Sequence, residues 1–135
     1  MRILFFLAAS AILLGSCSSF QPIGYQNSVA LQSDQTLYRD VFALYAAKAD
    51  NPLSAYNPAF YGLIQADITN CVTVYGTIPK SGLSLTQLAK LSDAVQRFKT
   101  QDSLGAHASF FKINAPLLLQ IAYDIDTLET SKLAK

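Results

Sequence analysis

Apolar residues recur at spacings of three and four along four separate segments of the chain, and polar residues fill the positions between them. This spacing places apolar side chains on one face of an α-helix, which has about 3.6 residues per turn. In the third segment the apolar positions are Leu88, Leu91, Val95 and Phe98. The pattern predicts four amphipathic helices, at residues 35–49, 58–75, 85–100 and 114–131.

Each predicted helix is preceded by a polar residue suited to cap its first turn. A short polar side chain there accepts a hydrogen bond from an otherwise unpaired backbone N–H group. Pro58 favours a helix start, and Gly76 is a residue type that commonly follows a helix end. The predicted N-caps are Asp34, Asn57, Ser84 (in a capping box with Gln87) and Asn114.

Two segments leave alternatives open. Residues 68–75 contain Ile, Val and Thr, which favour β structure, so a strand competes with the end of the second helix. Residues 101–113 are broken by Gly105, yet they contain apolar residues that favour burial. A short helix or a packed loop would satisfy that second segment.

Four helices of this length with apolar stripes predict an all-α fold, a small antiparallel four-helix bundle. The bundle is expected to occupy residues 34–132. Residues 17–33 are rich in Ser, Gln and Asn and are interpreted as a flexible tether with a reach of about 20–25 Å.

The N-terminus has a pattern of its own. Arg2 is followed by an apolar run at residues 3–14, too short to span a bilayer but typical of a signal peptide. The run ends in Leu14-Gly15-Ser16-Cys17, which resembles the lipobox of bacterial lipoproteins. The resemblance covers only residues 1–17. An ordinary secretory signal ending at Ser16 is the alternative.

The resemblance implies that the chain is cut between Ser16 and Cys17 and that Cys17 carries lipid. Stable retention needs more than one acyl chain, which lipidation of this kind supplies. Ser18 follows the cysteine, and by the same resemblance it favours the outer membrane. The expected location is the inner leaflet of the outer membrane, with the domain facing the periplasm.

Charge excludes one class of partner. Cleavage would remove Arg2, the single charged residue among the first 16, and leave nine basic against nine acidic residues. A neutral domain lacks the basic excess of nucleic-acid-binding proteins. The expected partners are therefore the membrane, through the lipid on Cys17, and an envelope protein.

No catalytic residue, cofactor or metal site is predicted. Covalent haem needs Cys-x-x-Cys-His, and di-iron bundles need several glutamates, whereas Glu129 is the single glutamate. Cys71 and His107 are the minimum for a thiol nucleophile and its base, but two such residues are too few for zinc. Burial as a small apolar residue is the favoured interpretation of Cys71.

Aromatic residues suggest an interaction surface. Tyr56 and Tyr61 flank the loop after the first helix, and tyrosine is enriched in protein interfaces. The expected function is thus a non-enzymatic, lipid-anchored envelope lipoprotein that acts through protein contacts. Binding of a small hydrophobic ligand between the helices is the alternative, and an enzyme using Cys71 and His107 is a third hypothesis.

Overall fold

The computed structural model describes residues 23–133, with side chains for residues 28–132. It contains four helices: α1 (Ile23–Asp50), α2 (Pro58–Gly76), α3 (Gly82–Ser103) and α4 (Ala108–Leu133). The part of the chain that is described contains no strand. The all-α prediction is confirmed, and the strand alternative for residues 68–75 is wrong.

The helices form a ring in which each one packs against two neighbours, in the order α1, α2, α3, α4 and back to α1. Short loops at residues 51–57, 77–81 and 104–107 join them, so successive helices run antiparallel. The C-terminal ends of α1 and α3 and the N-terminal ends of α2 and α4 therefore lie together. We call this the loop end, since two of the three loops lie there. We call the other the anchored end, since α1 begins there and the predicted lipid anchor precedes α1 in the chain.

The predicted apolar stripes form most of the core. The stripe of α3 is buried completely, and that of α2 is buried from Ile64 to Tyr75. Asn57 caps α2 as predicted, because its Oδ1 accepts a hydrogen bond from the N–H of Ala59 at 3.0 Å. The apolar spacing therefore identified the core faces before any tertiary information.

The start of α1 differs from the prediction. The helix begins at Ile23 instead of about residue 35, so residues 23–33 are helical and not part of a tether. Ala30, Ser33 and Asp34 are buried on the continuation of the core face. The segment was mistaken for a tether because small and polar residues occupy its core positions. Residues 17–22 of the expected tether, and the signal peptide with Ser16 and Cys17, lie outside the described residues.

Asp34 does not cap α1, because it lies inside that helix, and the predicted caps Ser84 and Asn114 are wrong because they too lie inside helices. Ser84 lies in the first turn of α3 and donates a hydrogen bond to Glu129 Oε1 across the bundle, instead of capping. Asn114 lies inside α4, which begins at Ala108 and contains Pro116. The Asn114 amide donates to the carbonyl of Phe110 at 2.8 Å. Tertiary partners outcompeted local capping at Ser84, and the helix continues through Pro116.

The structure also settles the uncertain segment and one helix end. Within residues 101–113, α3 ends at Ser103, Gly105 turns the chain with a φ of 71°, and α4 begins five residues before Ile113. Gly76 is the last residue of α2, not the residue after it, and Thr77 follows as the C-cap.

Candidate functional site

The two tyrosines predicted as an interaction surface occupy different environments. Tyr56 is 36% exposed, whereas Tyr61 is 1% exposed and lies in the core. Their rings stack at a centroid distance of 5.7 Å. The prediction of a shared surface is therefore wrong for Tyr61, which instead supports Tyr56 from below.

A buried polar network holds the loop end together. Lys48 Nζ donates a hydrogen bond to Asp102 Oδ1 at 2.6 Å, and the hydroxyl of Tyr61 donates to Asp102 Oδ2 at 2.6 Å. Lys48 also lies 4.8 Å from the centre of the Phe111 ring, a cation–π contact. Both charged side chains are only 4% exposed. Burial, followed by the bond to Asp102, raises the pKa of Tyr61.

This network reaches the loop between α1 and α2. Lys48 Nζ donates a second hydrogen bond to the carbonyl of Ser54 at 3.1 Å. Because the same ammonium group binds Asp102 in the last turn of α3, it links that loop to the end of α3. The charge and three donors of lysine suit this bridging position.

Large apolar side chains project into solvent from the loop between α1 and α2 and from the loop between α3 and α4. Leu53 is 71% exposed and Leu104 is 75% exposed. With Tyr56 they form what we call the loop-end surface. The bond from Lys48 to the Ser54 carbonyl holds the loop that carries Leu53 and Tyr56, and Leu104 follows the buried Asp102 by two residues. Less of this apolar surface therefore has to be ordered when a partner binds.

A second buried polar cluster lies toward the anchored end. The hydroxyl of Tyr75 donates a hydrogen bond to Asp34 Oδ1, and Glu129 accepts hydrogen bonds from Ser84 and Lys132. Within the described part of the chain, Asp34 Oδ2 has no hydrogen-bond partner although it is buried.

Asp34 is electrostatically unusual. Burial raises its pKa to about 7, against the lowering effect of the hydrogen bond from Tyr75. Glu129 and Asp126 on α4 raise it further, and Lys132 lowers it. A carboxyl group in this environment is partly protonated at neutral pH, since its charged form is poorly solvated.

Cys71 and His107 are not brought together. Cys71 is fully buried next to Asp34, and its Sγ lies 4.0 Å from Asp34 Oδ1. His107 lies in the loop between α3 and α4, at the end of the bundle where α2 begins. Cys71 follows Pro58 by thirteen residues of α2, about 20 Å along the axis.

The environment of Cys71 also opposes nucleophilic chemistry. Burial, followed by the negative charge of Asp34, raises the pKa of the thiol to about 12. The thiolate is the reactive form of cysteine, so this thiol is held in its unreactive form. Among residues 28–132, no group of three or more His, Cys, Asp or Glu side chains is arranged to hold a metal ion.

An aromatic face lies on one side of the bundle. On α1, the Tyr38 and Phe42 rings are 6.4 Å apart and the Phe42 and Tyr45 rings 6.0 Å apart. Tyr123 on α4 lies 6.4 Å from Tyr38. Tyr38, Tyr45 and Tyr123 line a groove of about 390 Å³, together with Pro116, Leu119 and Gln120. We call the residues of this groove, with the neighbouring Phe42, the α1/α4 face.

The interior of the bundle is filled, and the apolar grooves lie on its outside. The core side chains that line the axis are at most 4% exposed. A second groove of about 380 Å³ lies between α3 and α4, with Phe110, Leu117 and Ile121 among its apolar walls and Arg97 and Asn114 as its polar ones. None of the described helices is sufficiently long and apolar to cross a membrane.

Sequence reasoning missed the buried charges, although a signal for them existed. Lys48 lies four residues after Leu44, Asp102 four after Phe98, and Glu129 four after Ile125. Each charge thus continues the apolar stripe of its own helix by one turn. Extending the stripes past their last apolar residue would have placed these charges in the bundle interior.

Comparison with protein-family models, with curated proteins and with solved structures finds no match to this chain.

Proposed function

We propose that the protein is a lipid-anchored bacterial envelope lipoprotein whose helical domain faces the periplasm and acts through contacts with another envelope protein, without catalysis of its own. The anchor is proposed from Leu14-Gly15-Ser16-Cys17, with cleavage before Cys17 and lipid on that residue. Ser18 favours retention at the inner leaflet of the outer membrane.

The loop-end surface supports the contact role. Leu53, Tyr56 and Leu104 expose large side chains from loops at the same end of the bundle. Apolar side chains exposed together are typical of protein interaction sites, and tyrosine combines contact area with a polar group. The buried bond from Lys48 to the carbonyl of Ser54 fixes one of the two loops, which reduces the entropy lost on binding.

The anchor is tested by mass spectrometry of the N-terminal peptide. The expected product begins at Cys17 and carries acyl chains, and a Cys17→Ala variant carries none. A mature protein that begins at Cys17 with a free thiol, or that begins elsewhere, would refute the lipid anchor. Separation of the two membranes on a density gradient then tests the outer-membrane location.

The contact surface is tested by a photo-crosslinking amino acid introduced in living cells. Position 53 on the loop-end surface is compared with position 63 on α2, since both leucines are exposed, at 71% and 56%. We expect one envelope protein to be captured from position 53, not from position 63, and to be lost in the Cys17→Ala variant. Equal capture from both positions would contradict a specific loop-end contact.

The groove between α3 and α4 supports a second candidate function, the binding of a small hydrophobic ligand. Its volume of about 380 Å³ lies within the range of ligand sites, about 300–1,000 Å³. Native mass spectrometry of the purified protein would show a bound molecule, and Leu117→Asp should release it. A protein that carries no added mass would remove this candidate.

A further inference from the structure

The groove of the α1/α4 face is lined by aromatic and other uncharged side chains, and Asp124, which accepts a hydrogen bond from Gln120 at 2.7 Å, lies at its edge. None of the residues lining its groove is charged, and Phe42 and Tyr123 are 47% and 52% exposed. Tyrosine is enriched at membrane–water interfaces, where the ring contacts the acyl boundary and the hydroxyl contacts the headgroups. The face therefore has the composition of a surface that contacts lipid.

The length of chain before α1 limits where the domain lies. Only five residues lie between Cys17 and Ile23, the first residue of α1, so six Cα-to-Cα steps separate the two. Fully extended, they span at most about 20 Å. A lipid on Cys17 would thus hold the first turn of α1 close to the bilayer. A helix of 28 residues is about 42 Å long, so Tyr38 and Phe42 lie about 22–28 Å further along the same axis.

We propose that the α1/α4 face lies on the bilayer surface, with α1 and α4 along the membrane plane and α2 and α3 turned toward the periplasm. The partner of this face is the lipid headgroup and acyl-chain boundary. The proposal rests on the proposed lipid anchor and goes beyond it, because the anchor alone would allow any orientation of the bundle.

The distribution of charge also bears on this orientation. Lys90 and Asp93 are exposed on α3, which lies away from the α1/α4 face, and they favour water. Residues 80–99 carry Lys80, Lys90, Arg97 and Lys99 against Asp93, so attraction to anionic lipid would favour α3, and the apolar area of the α1/α4 face has to outweigh it. Buried apolar area then decides the orientation. The loop-end surface, at the end of the bundle rather than on this face, stays accessible to a protein partner.

The absence of tryptophan from the chain permits a direct test. A single tryptophan is introduced in the full lipidated chain by Phe42→Trp, and the matched control is Val72→Trp on α2, which is similarly exposed at 42%. Each protein is reconstituted into vesicles of phosphatidylethanolamine and phosphatidylglycerol, with and without bromine on the acyl chains. Circular dichroism checks that both variants fold.

We expect the emission of the Phe42→Trp protein to shift to the blue on vesicles and to lose intensity with brominated lipid, while the Val72→Trp protein shows neither change. Because no charged residue lines the groove, added salt should leave the quenching unaltered, whereas a contact made by the cations of α3 would weaken.

Four results would overturn the proposal. Flotation with vesicles but no quenching of the Phe42→Trp protein would show an anchored domain held off the bilayer, and equal quenching of both proteins would show no preferred face. A photo-crosslinker at position 42 that captures a protein instead of lipid in cells would assign the face to a protein partner. Failure of either protein to float would refute the anchor and the orientation together.

Discussion

Charged and titratable residues in the core distinguish this bundle at the level of single side chains. Asp34 is buried beside Tyr75, Cys71 and Glu129, and its pKa of about 7 lies well above the usual range for aspartate. The folded protein therefore holds a proton on Asp34 at a pH where the unfolded chain has lost it. This difference couples the stability of the fold to pH.

Stability is expected to decrease as pH rises from about 4 to about 7, since the folded state binds more protons than the unfolded state in this range. Asp34→Asn mimics the protonated acid. The variant should gain about 1–4 kcal/mol relative to the parent protein at about pH 8 and little at about pH 4. Urea unfolding of both proteins at the two pH values measures this gain.

The exposed Asp124→Asn serves as the control for that measurement and should not change the pH dependence. Some dependence will remain in Asp34→Asn, because burial also raises the pKa of Asp67, to about 6. A parent protein that becomes more stable between about pH 4 and about pH 7 would contradict the assignment.

Cys71 is predicted to be unreactive in the folded protein. Its side chain is inaccessible and its pKa is raised to about 12 by burial and by Asp34. In a Cys17→Ala protein, a thiol reagent such as dithionitrobenzoate should label Cys71 only after denaturant is added. Rapid labelling without denaturant would restore the hypothesis of a thiol enzyme.

Lys48 and Asp102 form a buried ion pair, so replacing either residue should destabilise the fold. Lys48→Met should reduce the free energy of unfolding by about 3–5 kcal/mol, because it leaves a buried carboxylate without its cation. The exposed Lys90→Met should change it by less than about 0.5 kcal/mol. Chemical denaturation compares the two variants, and similar small effects in both would show that the network does not support the loop end.

At the level of the element, the length of α1 is the feature that matters most for the anchored end. Ala30, Ser33 and Asp34 extend its buried face beyond the apolar stripe. Asn70 Nδ2 on α2 donates a hydrogen bond to Ser33 Oγ at 3.2 Å. These contacts hold residues of the first part of α1 against α2, so the helix begins at Ile23 and not at about residue 35.

Ala30→Pro tests this extension. Proline inside a helix removes a backbone hydrogen bond and clashes with the preceding turn, so it should destabilise the bundle by about 3 kcal/mol or more. Ala30→Gly, the matched control, should cost only about 1 kcal/mol. If residues 23–33 were a tether, neither change would alter thermal unfolding.

At the scale of the whole molecule, one core connects the two ends of the bundle. Tyr61 and Tyr75 both lie on α2, one at each end. Tyr61 donates a hydrogen bond to the buried Asp102 on α3, and Tyr75 donates one to the buried Asp34 on α1. Between them, Ile64, Ile68 and Cys71 continue the core without interruption.

Unfolding should therefore be a single cooperative transition, as is usual for one domain of this size. Far-UV circular dichroism reports helix content, and tyrosine fluorescence reports the surroundings of the seven tyrosines, among them the two buried rings. Both signals are expected to change at the same denaturant concentration. Two separated transitions would show that the ends unfold independently.

The fold was largely predictable because it depends on apolar periodicity. Leu88, Leu91 and Val95 are buried as their spacing indicated, and the cap at Asn57 forms as predicted. The surface was less well predicted: Tyr56 is exposed and Tyr61 is buried. Tyr61 lies three residues before Ile64 and continues the buried stripe of α2, whereas Tyr56 precedes the helix. The partner of the Tyr61 hydroxyl could not be predicted from local sequence, because Asp102, which accepts its hydrogen bond, is 41 residues away.

The number of helices, their antiparallel order and most of the core could be predicted from the sequence, since these follow from local spacing and short loops. The roles of polar residues such as Asp34, Ser84 and Asn114 could not, since they depend on which residues lie next to them in the folded bundle. A short polar side chain next to an apolar run satisfies the rule for a cap, but it satisfies the rule for a buried hydrogen bond equally well. Only the packing of distant helices supplies Tyr75 to Asp34 and Glu129 to Ser84, and these partners determine which rule applies.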